Sequence, residues 1–338
     1  MRVRPGRLMT ASLRVGYEKQ LLLFSGRANP TLAADIAGQL GVDLGSITLK
    51  TFSNDEVYCR FDESIRGADV FLIQPMCGNP QTGINANDAL LELLIMIDAA
   101  VGASAHRVVA VTPWYGYSRQ DKKSAPREPI SARMVARTLE AVGVDRVLAM
   151  DLHAGQLQGF FGIPVDHMTA LMMLADHFAG LDDDLVVVAP DAGRVKLNKQ
   201  FATRIGGDLA ILDKERPHQQ VAEIVHVIGD VRGKTAIIVD DIVDTAGTLC
   251  AAGEAVKRAG ARRVFAAVTH PVLSGRAYEN LAGSPFERIV VTDSIPLRPG
   301  APATIEVVSC APLLADSIRR IFTDRSVSEV FGGKNHLF

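Results

Sequence analysis

Residues 235–260 constrain the fold more tightly than any other stretch of the chain. Ala236-Ile237-Ile238-Val239 reads as a short buried strand ending at Asp240-Asp241. Ile242 and Val243 follow, then Asp244-Thr245-Ala246-Gly247-Thr248, then a helical pattern closed by Gly260. Strand, small polar loop and helix start together make an anion site. The first turn of a helix has unpaired backbone N–H groups and carries the positive end of the dipole. Thr245 and Thr248 add hydroxyl donors, and Gly247 lets the backbone approach a ligand closely. Two adjacent carboxylates would repel a bare phosphate, but they suit a phosphorylated sugar. Its hydroxyls would donate to Asp240 and Asp241, or those acids would hold a metal ion, while the loop takes the phosphate. Hydrogen bonds to charged groups contribute roughly 1.5–3 kcal/mol each, so a diol held this way is strongly selected. The stretch lacks GxxxxGK[ST], which excludes a Walker A loop.

The rest of the chain repeats this grammar. Arg232-Gly233, a strand, a loop, a helix, Gly260 and RVFAAVTHP echo Arg66-Gly67, DVFLIQP, a loop, a helix, Gly102 and RVVAVTP. The repeat predicts two tandem α/β units, each with a mainly parallel sheet flanked by helices and ligands at the carboxyl ends of the strands. The 338 residues, 48% of them hydrophobic, suffice for two cored domains. DLHAGQLQGFFGIPVDHM is the expected junction. A net charge of −2 excludes a general polyanion binder, so no nucleic-acid partner is expected and phosphate attraction must be local. Cys59, Cys77, Cys250 and Cys310 are scattered without a CxxC pair, which fits a reducing, cytoplasmic setting. The most apolar run, 89–103, is broken by Glu92 and Asp98 and is too short to span a bilayer, so no membrane partner is expected. Residues 1–17 carry four arginines and no acid, and are expected to be a disordered leader or the mark of an upstream start.

Three further stretches sit where strands of these units would end. DLH and PDAG place His153 and Asp191 so that one imidazole and one carboxylate can hold a Mg²⁺ that keeps most of its ligands as water and phosphate oxygens. In LAILDKERPH, Lys214 and Arg216 are two apart, on one side of an extended segment, and suit a transferring phosphoryl group. Arg119-Gln120-Asp121-Lys122-Lys123 follows the aromatic run Trp114-Tyr115-Gly116-Tyr117. Its cations suit a polyphosphate, and Gln120 or Asp121 suits a base edge.

In order along the chain, FSNDE, ESIRG, ELLIMIDA, RQDKK, REPISA, DLHAGQLQGFF, PDAG, DKER, DDIVDTAGT, THPVLSG and SVSEVF resemble the ribose-phosphate pyrophosphokinases, or phosphoribosyl pyrophosphate synthetases, of the phosphate-dependent class. The resemblance covers nearly the whole chain. It implies two tandem phosphoribosyltransferase-like domains, at 18–165 and 166–311, with 312–338 joining the first. It implies transfer of the β,γ-diphosphoryl group of MgATP to the anomeric hydroxyl of ribose 5-phosphate. Lys214 and Arg216 would stabilise the transition state from a mobile loop, His153 and Asp191 would hold Mg²⁺, and Asp240, Asp241, Asp244, Thr245, Ala246, Gly247 and Thr248 would bind ribose 5-phosphate. Arg119, Gln120, Asp121 and Lys122 would bind ATP, joined across a subunit interface by Phe52, Asn54, Asp55 and Glu56, with Phe52 stacking on adenine. A homohexamer inhibited by ADP and activated by inorganic phosphate is also implied, with Arg127, Ser326, Ser328 and Phe331 matching the regulatory segments.

The chain departs from the family pattern at Asn54, where Asp is frequent, at Asp55, where Gly is frequent, and at Arg194, where a second glycine is frequent. The loop 75–85 is also longer than in the commonest bacterial forms. Two other readings compete: a phosphoribosyltransferase, which shares the DDIVDTAGT type of loop, and a non-catalytic paralogue of the synthetase. The duplicated unit and Lys214/Arg216 argue against the first, and the presence of DKER, His153 and Asp191 argues against the second.

Overall fold

The structure, a computed structural model, describes residues 19–181, 184–215 and 224–331. The expected leader and Arg216 lie outside the described residues. The first half contains β1 (Leu21–Ser25), α1 (Pro30–Leu40), β2 (Ile47–Thr51), β3 (Val57–Phe61), β4 (Asp69–Ile73), α2 (Ala86–Gly102), β5 (Arg107–Thr112), α3 (Ser131–Ala141), β6 (Arg146–Met150) and β7 (Val165–Met168). The second contains α4 (Leu171–Phe178), β8 (Leu185–Ala189), α5 (Val195–Ile205), β9 (Asp208–Glu215), β10 (Ile224–Ile228), β11 (Thr235–Val243), α6 (Gly247–Arg258), β12 (Arg263–Pro271), α7 (Ala277–Ala282), β13 (Arg288–Thr292), β14 (Ile305–Val308) and α8 (Ala311–Phe322).

Strands such as β4, DVFLI, with four apolar residues after Asp69, are buried on both faces, which is what a parallel sheet covered by helices requires. The first sheet runs β1-β4-β5-β6-β7, all parallel, and β2 and β3 form a separate hairpin. The second runs β10-β9-β8-β11-β12-β13-β14, parallel except for β10, which pairs antiparallel with β9. Helix ends follow local chemistry. Asn29 accepts from the amide of Leu32, Pro30 opens α1, and Gly41 closes it at φ 73°.

The internal repeat is visible in the backbone. Gly67 (φ 75°) donates its N–H to the carbonyl of Ser104, and Gly233 (φ 72°) donates to Gly260, both at 2.9 Å. The partner of Gly260 in the first half is therefore Ser104 (φ 64°) and not Gly102, which is the last residue of α2. Counting back from Arg107 and Arg263 gives this alignment.

Inner faces of both sheets share one core. Phe71 and Leu148 come to it from the first sheet, Ile237 and Phe265 from the second, and Phe201 and Leu314 from helices. Helix α8 packs against α1, and Arg319 donates to the carbonyl of Gln39 at 3.2 Å. The expected junction also moves. Because β7 pairs with β6, DLHAGQLQGFFGIPVDHM belongs to the first sheet, and a division at 165/166 falls inside β7. That strand is four residues long and half polar, so it gives no apolar run to read. Among the described residues no helix is long and apolar enough to cross a membrane.

Candidate active site

The strand β11 does not stop at its two acids. It continues through Ile242 and Val243, with Asp240 opposite Val268 and Val243 opposite Pro271 of β12. The apolar pair after the acids extends the ladder, so Asp240 and Asp241 lie in the strand and the loop begins at Asp244. Asp241 is buried and pairs with Nη2 of Arg194, while Asp240 lies 3.6 Å from Nε of the same arginine. His153 Nδ1 is 2.8 Å from Asp241 Oδ2. The ring therefore donates from Nδ1, which turns the lone pair of Nε2 outward for a ligand.

The two acids titrate apart. Burial, and then the charge of Asp241, push Asp240 up to about 8. Burial also acts to raise Asp241, but the His153 hydrogen bond and the Arg194 charge outweigh it and hold Asp241 below the ordinary carboxylate range.

A cavity of about 530 Å³ opens beside these groups, lined in part by Lys122, Asp151, His153, Gln156, Asp191 and Arg194. Asp191 caps the short turn after β8, its Oδ1 accepting from the amide of Arg194 at 3.1 Å. Asp151, at φ 38°, accepts from the amide of Ala170 at 3.0 Å and from Thr269 Oγ1 at 2.7 Å, so it ties the two halves together at the cavity wall. Among the described residues no group of three His, Cys, Asp or Glu could hold a metal ion. His153 and Asp191 nonetheless fit Mg²⁺, which keeps several waters and takes only one or two protein groups beside substrate phosphates.

At the loop, Asp244 accepts from Ser274 Oγ and lies 2.7 Å from Nη2 of Arg119. Asn280 donates to the carbonyl of Thr245 at 2.8 Å. Ala246 takes a left-handed turn at φ 63° into α6, leaving Thr245, Gly247 and Thr248 exposed at the helix start. The basic loop reaches both places. Arg119 meets Asp244, Gln120 accepts from Ser131 Oγ at 2.6 Å, Asp121 accepts from Gln156 Nε2 at 2.8 Å, and Lys122 lines the cavity.

Other expected residues lie elsewhere. Phe52, Asn54, Asp55 and Glu56 form the β2–β3 turn, with Phe52 exposed and Lys50 Nζ 5.0 Å over its ring. Asp55 is left-handed at φ 67°, which explains why glycine suits the position, and it lines a separate cavity of about 770 Å³. Lys214 lies near the end of β9, opposite Val225 of β10, and its side chain is outside what is described. Arg127 (φ 72°) sits in the loop before α3. Ser326 and Ser328 follow α8 with their hydroxyls 2.8 Å apart, and the side chain of Phe331 is outside what is described. Sequence reasoning passed over Asp151 and Gln156 as cavity residues and noted Arg194 only as a departure. A carboxylate two residues before His153, on the end of β6, was the available signal for Asp151.

Two parallel sheets on one core, with an acidic strand end leading into a hydroxyl-bearing loop and a helix start, define an α/β protein of the tandem phosphoribosyltransferase-like class. Two family models match the chain. That of the N-terminal domain of ribose phosphate pyrophosphokinase matches residues 21–143, and that of the phosphoribosyl synthetase-associated domain matches residues 217–332. The chain belongs to the ribose-phosphate pyrophosphokinase family. It is 47% identical over 320 residues to the ribose-phosphate pyrophosphokinase of Chlorobaculum tepidum, covering 94% of this chain and 97% of that one. The enzyme of the same name from Caldanaerobacter subterraneus is 48% identical over 318 residues, covering 93% and 99%. The crystal structure of phosphoribosylpyrophosphate synthetase from Mycobacterium smegmatis superposes with a TM-score of 0.83 at 43% identity, covering 90% of this chain and 99% of that one.

Proposed function

We propose that the chain is a ribose-phosphate diphosphokinase that makes 5-phosphoribosyl 1-diphosphate and AMP from ATP and ribose 5-phosphate. One observation carries the reading beyond family membership: His153, which lines the cavity of about 530 Å³, touches Asp241 of the second half at 2.8 Å, so the nucleotide-side wall and the sugar-side strand are in direct contact. The N–H groups at the start of α6, with Thr245, Gly247 and Thr248, take the 5-phosphate, and Asp240 and Asp241 accept from the ribose hydroxyls. Asp244 and Ala246 shape that loop. Arg119, Gln120, Asp121 and Lys122 hold ATP, with Phe52, Asn54, Asp55 and Glu56 reaching a neighbouring subunit's nucleotide. Mg²⁺ beside His153 and Asp191 supplies neutralisation of the phosphate charge when bound.

The anomeric hydroxyl gives up its proton to solvent and its oxygen bonds to the β-phosphorus as the bond from that phosphorus to the α-phosphate oxygen breaks, and AMP leaves with that oxygen. Lys214 and Arg216 stabilise the charge that develops there, and positioning supplies most of the rest. The reading extends to a cytoplasmic homohexamer of two domains per chain, with β7 and α8 belonging to the first. It includes activation by inorganic phosphate through Arg127, Ser326, Ser328 and Phe331. Incubating the protein with MgATP and ribose 5-phosphate, with and without inorganic phosphate and ADP, tests it. AMP should form in step with phosphoribosyl diphosphate; a phosphoribosyltransferase would form none.

A further inference from the structure

Arg194 stands in the middle of the carboxylates at the end of β11. Its guanidinium pairs with Asp241, lies 3.6 Å from Asp240 and 3.5 Å from His153 Nδ1, and its side chain is only 16% exposed. Its backbone is fixed as well. The amide of Arg194 donates to Asp191 at 3.1 Å, and its carbonyl accepts from Asn198 Nδ2 at 3.1 Å, a side chain that also reaches the carbonyl of Val239 in β11. The arginine is thus tied to the strand it neutralises. Two acids at a strand end suit either sugar hydroxyls or a divalent cation, and a buried guanidinium excludes the second by charge while leaving carboxylate lone pairs for hydroxyl donors.

We propose that Arg194 is the fixed counter-ion that reserves Asp240 and Asp241 for sugar hydroxyls and confines divalent cations to the wall formed by His153 and Asp191. This rests on the sugar-phosphate reading of the β11 end. Its consequence is that the free protein binds no divalent cation through Asp240.

The test is a Mn²⁺ titration of the free, full-length protein, following unbound Mn²⁺ by electron paramagnetic resonance. No substrate is present, so the result does not depend on AMP formation, and failure of either reading is visible separately. Arg194→Gln should bind Mn²⁺ about tenfold more tightly than wild type, or gain a site. Adding Asp240→Asn to that variant should remove the gain, and Arg194→Lys, which keeps the charge, should retain the wild-type isotherm. An unchanged isotherm in folded Arg194→Gln overturns the proposal. If neutral substitutions at 194 do not fold, Asp240→Asn in the wild-type background decides: an unaltered isotherm supports the reserved pair, and weakened Mn²⁺ binding shows that Asp240 is a metal ligand after all.

Discussion

Chiefly through burial, opposed by the charge of Asp151 and reinforced by that of His270, His167 gives the cavity wall a pH dependence. Its Nε2 accepts from the amide of Leu152 at 2.9 Å, and burial pushes the ring from 6.5 down to about 4. Between those values the unfolded chain binds a proton that the folded chain refuses, so stability is complete above about pH 6.5 and declines as pH falls toward about 4. The full effect is at most about 3 kcal/mol. The urea midpoint should drop from neutral pH to about pH 5, and His167→Asn should flatten that part of the profile; a slope unchanged by the substitution would assign it to other groups. None of this was legible in the sequence, because a histidine in VDHM looks like any surface residue until His167 is seen to be buried where β7 pairs with β6. His153 and Asp191 were legible because each follows an apolar strand. Arg194 was not, because its partners lie on another strand.

At the scale of elements, the repeat locates a strained position. Ser104 occupies the left-handed site that Gly260 fills in the second half, with the same hydrogen bond from a glycine amide. A left-handed conformation costs a non-glycine residue roughly 1–2 kcal/mol, partly offset by the greater freedom of glycine in the unfolded chain. Ser104→Gly should therefore raise stability by about 0.5–1 kcal/mol in chemical denaturation. A loss would show that the serine side chain makes a compensating contact. The β9–β10 ribbon makes a different prediction, since it carries Lys214 at the edge of the second sheet, away from the central β11. Lys214→Ala should cut kcat by orders of magnitude with ribose 5-phosphate affinity nearly unchanged, measured by steady-state kinetics and calorimetry. A fall confined to affinity would remove the transition-state role. The parallel sheets and the helix that Gly260 closes followed from apolar patterning and glycine stops, but the reach of β11 did not. A carboxylate inside a strand reads as its end until its partners are known, and here they are the guanidinium of Arg194 and the Nδ1–H of His153.

Across the whole molecule, the two sequence units share one core. Leu314 of α8 is fully buried in the core shared by the inner faces of both sheets, and α8 itself returns from the second half to pack on α1. Asp151, just after β6, accepts from Thr269 of β12, and His270, fully buried, lies 3.0 Å from the carbonyl of Met150 through its Nε2. Independent folding of either half would leave these polar groups and a wide apolar face in water. Leu314→Ala removes a fully buried side chain from the shared core, at a cost of about 2–5 kcal/mol. Scanning calorimetry should show one transition in the wild type and one in the variant, moved as a whole to lower temperature. Two transitions, of which only the first-half one moves, would mean that the halves unfold separately, so that the contact between His153 and Asp241 joins two bodies free to part.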